Sequence, residues 1–131
     1  MINSGIYDYI NVLDKAADAS YLRNQAIANN IANDDTPGYK RVDLDFQSVL
    51  AREIGKTKYV SLDQKIKKVD LSHLNVKIEK DASAFPFSYR IDGNNVDIDT
   101  ENVELAANQI VYQGLTDSMG QEFNRIKQAM S

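Results

Sequence analysis

Ile6, Ile10, Leu13, Ala17, Ser20, Asn24, Ile27 and Ile31 recur at alternating intervals of four and three residues, through a stretch without Gly or Pro from Ile6 to Asp35. That spacing puts them on one stripe of a helix and is the repeat of a coiled coil. A second stripe of Tyr9, Val12, Ala16, Ala19 and Ala26 runs beside it, and Asn11, Asp14, Asp18, Gln25 and Asn29 gather on the opposite side. An N-terminal helix is expected to run to residue 33, capped by Asn3 or Ser4, with Asp8 early against the helix dipole. Its many Ala and Ser positions permit close approach but bury little area each. The two stripes together form an arc wider than one partner helix covers.

A second heptad pattern closes the chain. Leu105, Tyr112, Leu115, Met119 and Ile126 share a stripe, Phe123 and Met130 widen it, and Val103, Ala107 and Ile110 flank it. Asn108 falls within this stripe and echoes Asn24; a buried amide in a helix seam costs stability but fixes register. The C-terminal helix is expected from about Glu101 to Met130, capped by Asp99 or Thr100 with Glu101 and Glu104 in its first turn. Two helices of about 45 Å each at opposite ends of the chain most simply pair antiparallel, with residues 34–99 projecting from one end. A two-helix hairpin leaves apolar surface uncovered, so a subunit that finishes folding on assembly is expected.

Between the helices lies the stretch Ala28–Lys40, a helix end, a hard stop and a turn. Asn33, Asp34, Asp35 and Thr36 bond their own backbone more readily than they continue a helix. Pro37 pushes Thr36 out of the helical region, and Pro37-Gly38 is a turn signal. Beyond it, Val42, Leu44 and Phe46 alternate with Asp43 and Asp45, as in a short extended segment whose acids face solvent. A turn or two of helix is expected from Phe46 to Ile54. Gly55 to Lys68 is lysine-rich and expected as a solvated loop. Two further alternating runs, Leu74/Val76/Ile78 and Phe85/Phe87/Tyr89/Ile91, suggest a β-hairpin joined by the polar residues 79–84, and Asp92-Gly93-Asn94-Asn95 reads as a turn.

The expected fold class is thus mainly α: long N- and C-terminal helices paired as an antiparallel coiled coil, with a short extended and β-hairpin central segment. Residues 1–33 and 100–131 would form one discontinuous coiled-coil domain, and residues 34–99 the elbow, loop and hairpin.

Composition narrows the function. With 131 residues, 43% of them hydrophobic and 26% charged, the chain can build one domain and is not wholly disordered. Its ends are acidic and its middle is basic: residues 1–50 hold 4 basic and 7 acidic side chains, residues 51–90 hold 9 and 5, and residues 91–131 hold 2 and 7. An acidic chain of pI near 4.9 is a poor nucleic-acid binder. No apolar run is long enough to span a membrane, and no secretory signal is visible at the N-terminus. One histidine (His73) and no cysteine do not assemble a nucleophile–base pair or a metal set, so no catalytic residue, metal or cofactor is expected. The acids of Asp92–Glu101 do not fall at the ligand positions of a calcium loop, and helix capping accounts for them better.

Asn29-Asn30-Ile31-Ala32-Asn33 followed by Thr36-Pro37-Gly38-Tyr39-Lys40-Arg41 resembles the N-terminal signature of the bacterial flagellar axial proteins, the rod, hook and hook-associated family. Asp92-Gly93-Asn94-Asn95-Val96-Asp97, with Glu101, Asn108 and Tyr112 after it, looks like a proximal rod member. The resemblance covers roughly residues 8–46 and 92–130, and the short centre sets the chain apart from the larger hook and distal-rod relatives. It implies a structural, non-enzymatic subunit of the proximal rod of the basal body, exported through the type III apparatus without a cleaved signal and polymerising through its terminal helices to transmit torque. Implied partners are other rod proteins, the rod-base adaptor and membrane ring, the export apparatus and further copies of itself, with no nucleic acid and no direct membrane span. The resemblance marks Asn29, Asn30, Ile31, Asn33, Thr36, Pro37, Gly38 and Tyr39 as the elbow. Ile6, Ile10, Leu13, Ile27, Ile31, Leu105, Asn108, Tyr112, Leu115, Met119, Phe123 and Ile126 are the expected packing positions for assembly. The alternative is a secreted coiled-coil adaptor of a type III secretion system, which would have no use for the Asp92–Asp97 block.

Overall fold

Two long helices dominate the computed structural model, which describes residues 5–55, 61–74, 79–80 and 93–131. The first, α1, runs from Gly5 to Ala32 over 28 residues, and the last, α4, from Ile98 to Met130 over 33 residues, or about 50 Å at 1.5 Å per residue. Ser20 meets Asn108, Arg23 meets Glu104 and Asn30 meets Glu101. Ascending positions on α1 therefore face descending positions on α4, and the two helices pair antiparallel. Asn11, Asp14, Asp18, Gln25 and Asn29 all face solvent. The proposed caps Asn3 and Ser4 lie outside the described residues. At α4 the cap is Asp97, not Asp99 or Thr100: its backbone is extended (φ −110°, ψ 109°) and its carboxylate accepts from the amides of Asp99 and Thr100. The helix thus begins about one turn earlier than its apolar pattern does, because capping needs a side-chain acceptor beside free amides and no apolar neighbour.

The centre of the chain departs most from expectation. Val42–Asp43 forms a short strand, β1, which pairs antiparallel with β2, Glu79–Lys80, with Val42 opposite Lys80 and Asp43 opposite Glu79. Residues 79–80 were expected as the polar link of a hairpin; they are instead a strand, since a two-residue ladder is made by main-chain groups and needs no side-chain alternation. Leu74 is not in a strand either. It closes a 3-10 turn, Leu71–Leu74, and is only 2% exposed. Val76, Ile78 and the Phe85–Ile91 run lie outside the described residues.

Helix α2 spans Phe46–Gly55 as expected. The lysine-rich stretch, expected as a loop, contains α3, Leu62–Lys67. Ser61 caps it by accepting from the Gln64 amide, Ile66 is buried, and Asp63 accepts a 2.7 Å hydrogen bond from the Tyr9 hydroxyl of α1. One buried apolar residue and one cap are enough to fold six residues that already lie against a long helix, whereas an isolated segment of that length would not form.

These central elements fold back along α1 and do not project from one end. Ala16 and Ala19 of α1 are buried with Leu44, Phe46 and Leu74, and Leu22, Val49, Leu50, Val69, Leu71 and Leu115 pack around them. The second stripe of α1 is thus covered by the chain's own centre, while the first faces α4. The wide apolar arc has two intramolecular partners, and the small Ala side chains let both approach closely.

Asp45 marks the start of α2. Its carboxylate accepts from the Ser48 amide at 3.1 Å, and that bond, with the Ser48 hydroxyl, holds its pKa below the usual carboxylate range. A depressed folded-state pKa adds stability above the unfolded value, about 3.9, which is lost as pH falls through the folded value. The wild type should therefore exceed Asp45→Asn in stability at neutral pH, and the gap should close below about pH 4. A gap independent of pH in urea unfolding would contradict this.

Candidate functional site

The chain reverses at the end of α1 through backbone bonds from Thr36 to the Asn33 carbonyl and from Tyr39 to the Thr36 carbonyl. Gly38 supplies the left-handed conformation (φ 71°) that the turn needs. Asn33 and Thr36 support it locally: the Asn33 amide donates to the Asn29 carbonyl, and the Thr36 hydroxyl donates to Asn33. Asn29, Thr36, Pro37 and Gly38 lie on the outside, Ile31 and Asn33 are half-buried, and Asn30 and Tyr39 turn inward.

Asn30 is completely buried, and each of its polar atoms has two partners. Its amide nitrogen donates to the Val42 carbonyl (2.8 Å) and to Glu101 (3.2 Å); its oxygen accepts from the Val42 amide (2.9 Å) and the Tyr39 hydroxyl (3.0 Å). One side chain thereby stands in for a strand edge against β1 and ties it to α1 and α4. Burial, and then the nearby Glu101 charge, raise the Tyr39 phenol above its ordinary pKa, so it remains a donor.

Glu101 is the ionic partner at this point, with 1% of its surface exposed. One of its oxygens accepts from Arg41 Nε at 2.7 Å, the other from Asn30. Arg41 also approaches Asp43 (3.4 Å), Asp43 accepts from Arg23 Nε (3.0 Å), and Arg23 reaches Glu104 (2.7 Å). Burial works against the Arg23 charge, but the hydrogen bond and charge of Asp43, together with Glu104, hold its pKa above the ordinary value. The network runs from α1 through β1 to α4. Asp43 and Asp45, expected on a solvated strand face, have separate structural tasks: Asp43 bridges two arginines and Asp45 caps α2.

The loop before α4 closes the elbow from the far side. Asn94 is fully buried. Its amide nitrogen donates to the carbonyls of Asn33 (2.8 Å), Asp34 (2.9 Å) and Thr36 (2.8 Å), and its oxygen accepts from the Val96 amide. Carbonyls of the helix end and turn, two of which also accept the backbone bonds of the reversal, are thus gathered by a side chain about 60 positions away. Asn95 accepts from the Arg41 amide at 2.7 Å and donates its own amide to the Tyr39 carbonyl, and Lys40 donates to the Gly93 carbonyl. Gly93 holds φ 78°. Asn94→Ala is expected to lower stability by about 1–3 kcal/mol, the usual cost of leaving buried polar groups unmet. A loss below about 0.5 kcal/mol in urea unfolding would refute this role.

Farther along, Asn108, 3% exposed, sits in the seam between α1 and α4. It donates to the Ser20 carbonyl and to Asn24 Oδ1, both at 2.8 Å, and accepts from the Ser20 hydroxyl at 3.0 Å. Among the other expected packing positions, Ile10, Ile27 and Ile126 are buried and Leu13, Leu105, Leu115 and Met119 are half-buried. Tyr112 and Phe123 face mostly outward, at 38% and 53% exposed. Ile6 lies in α1.

Sequence reading missed Arg23, Arg41, Asn94, Asn95 and Glu101 as parts of this clasp. Glu101 did carry a signal, since it lies one heptad before Asn108 and so falls on the inward stripe of α4. Asn94 carried none, because a side chain that caps a distant helix looks the same as one in a local turn.

Residues 11–40, which take in most of α1 and the elbow, match the family model described as flagella basal body rod protein. The flagellar basal body rod protein FlgB of Bacillus subtilis is 38% identical over 122 residues, covering 93% of this chain and 92% of the relative. FlgB of Buchnera aphidicola is 33% identical over 82% of this chain and 83% of its own, and FlgB of Escherichia coli is 33% identical over 70% of each. With the Bacillus subtilis relative matched at 38% identity over nearly the whole of both chains, the chain belongs to the FlgB family of flagellar basal body rod proteins.

Proposed function

We propose that this protein is a structural subunit of the proximal rod of the flagellar basal body, that it polymerises through its terminal helices, and that the assembled rod transmits torque for motility. It is not an enzyme. The observation that carries the reading beyond family membership is the outer face of α4. Val103 and Ile110 are 68% and 73% exposed, and with Ala107 between them they recur at heptad spacing on the side away from α1. A second helix-binding stripe, unused among the described residues, suits a subunit whose helices pack against neighbours as a coiled coil. Exposed Tyr7 and Tyr21 on the outer side of α1 and Phe123 and Met130 toward the end of α4 add apolar area for such contacts.

In this reading the terminal helices, residues 1–33 and 100–131, form one discontinuous coiled-coil domain, and residues 34–99 form the elbow and central segment. Partners are further copies, other rod proteins, the rod-base adaptor, the membrane ring and the export apparatus, with export across the inner membrane proceeding without a cleaved signal. No helix among the described residues is long and apolar enough to cross a membrane. The secreted adaptor is not favoured, because the rod protein of Bacillus subtilis matches 93% of this chain.

The test is an in-frame deletion in the source organism, with the cell envelope imaged by electron cryotomography. Membrane rings without a rod, and motility restored by the intact gene but not by Val103→Asp/Ile110→Asp, are the expected result. Complete flagella and normal swimming in the deletion strain would overturn the proposal.

A further inference from the structure

Glu101 and Asn108 lie seven residues apart, on the same inward stripe of α4, and both are almost fully buried. A heptad repeat by itself does not choose a register, since sliding one helix by seven residues returns apolar positions to apolar positions. These two positions break that degeneracy because their surroundings are opposite in kind. Glu101 faces donors, Arg41 Nε and the Asn30 amide. Asn108 faces acceptors, the Ser20 carbonyl and Asn24 Oδ1, with the Ser20 hydroxyl as its one donor.

We propose that Glu101 and Asn108 act as a matched pair of register-determining residues, which exclude the heptad-shifted pairings of α1 with α4. Sliding α4 one way carries Glu101 into the Asn108 position, where a buried carboxylate meets two acceptor oxygens. Sliding it the other way carries Asn108 toward Asn30 and Arg41, and the guanidinium loses its buried carboxylate. One shift buries a carboxylate against acceptor oxygens and the other takes from Arg41 its closest carboxylate, and either is far costlier than an apolar mismatch. The acceptor-only carboxylate and the donating amide cannot replace each other. Register matters to any subunit that assembles through these helices, because it sets where the outer face of α4 lies relative to that of α1.

The absence of cysteine makes the test direct. Spin labels on Gln25→Cys and Gln121→Cys, both exposed, report the axial offset of the two helices by pulsed electron resonance in the dilute full-length chain. Asn94→Ala is present throughout, so that the elbow loop holds the start of α4 by fewer bonds. With Glu101 and Asn108 intact, one distance is expected. With Glu101→Leu/Asn108→Leu, a second population displaced by about 10 Å, seven residues at 1.5 Å each, is expected while helicity is retained. Glu101→Asn, which makes the two positions alike, should also yield two populations. A single unshifted distance in both variants would overturn the proposal, as would two populations with Asn94→Ala alone. Loss of helicity in both variants would overturn it as well, since the pair would then supply stability and not selection.

Discussion

Asn30→Ala is expected to destabilise the protein by about 3–5 kcal/mol. Its side chain satisfies both main-chain groups of Val42, the Tyr39 hydroxyl and one oxygen of Glu101, in buried and part-buried bonds. Truncation leaves several of these groups buried without partners, each at a cost of about 1–3 kcal/mol before relaxation. Against a typical stability of about 5–15 kcal/mol, that is enough to unfold a marginal domain. Asn29→Ala, one position earlier but exposed, should change stability by no more than about 0.5 kcal/mol. Asn30→Asp should be nearly as harmful as alanine at neutral pH, since it removes the donor and sets a second carboxylate against Glu101. Urea unfolding of the three variants at a common m-value checks the contrast. A loss under about 1 kcal/mol for Asn30→Ala would mean that Val42 and Tyr39 find other partners and that the clasp does not depend on this amide.

Arg41→Met is expected to cost about 3–5 kcal/mol, the range for stranding one member of a buried ion pair. The Glu101 carboxylate would keep its bond to Asn30 but lose the guanidinium 2.7 Å away. Glu101→Leu alone should also destabilise, because Arg41 would then have only the more distant Asp43 among these carboxylates. The double variant should recover much of the loss, since removing both charges removes the desolvation penalty with the attraction. A coupling of at least about 2 kcal/mol in the double-mutant cycle is the expected reading, little changed by salt, because Arg41 and Glu101 have 17% and 1% of their side-chain surface exposed. Additive losses would show that the two act separately. The outer pair of Arg23 with Glu104, 27% and 37% exposed, should contribute far less.

Much of the architecture could be read from residue spacing. The 4-3 repeats located both terminal helices, and Asn33 through Gly38 located the break between them. Asn24 and Asn108 stood out as amides on inward stripes, and they meet each other in the seam. Other features left little trace. The short β1–β2 ladder is held by main-chain groups, and α3 by one buried isoleucine and one serine cap. The Asn94 latch joins groups about 60 residues apart. None of these produces a periodicity, and a pattern read in a local window cannot show them.

Taken alone, the sequence determined that two long amphipathic helices flank an asparagine-rich elbow, because heptad spacing and the proline stop act locally and need no tertiary partner. It also showed, through motifs at both ends, the kind of protein this chain resembles. The tertiary structure decided what covers the second stripe of α1, namely the chain's own centre packed on Ala16 and Ala19. It also decided that Asn30, Asn94, Arg41 and Glu101 form one clasp. A polar side chain has low local information, since the same asparagine serves a turn, a cap or a buried strand edge. Only the fold, by removing water and bringing specific donors and acceptors within 3 Å or so, chooses among these uses.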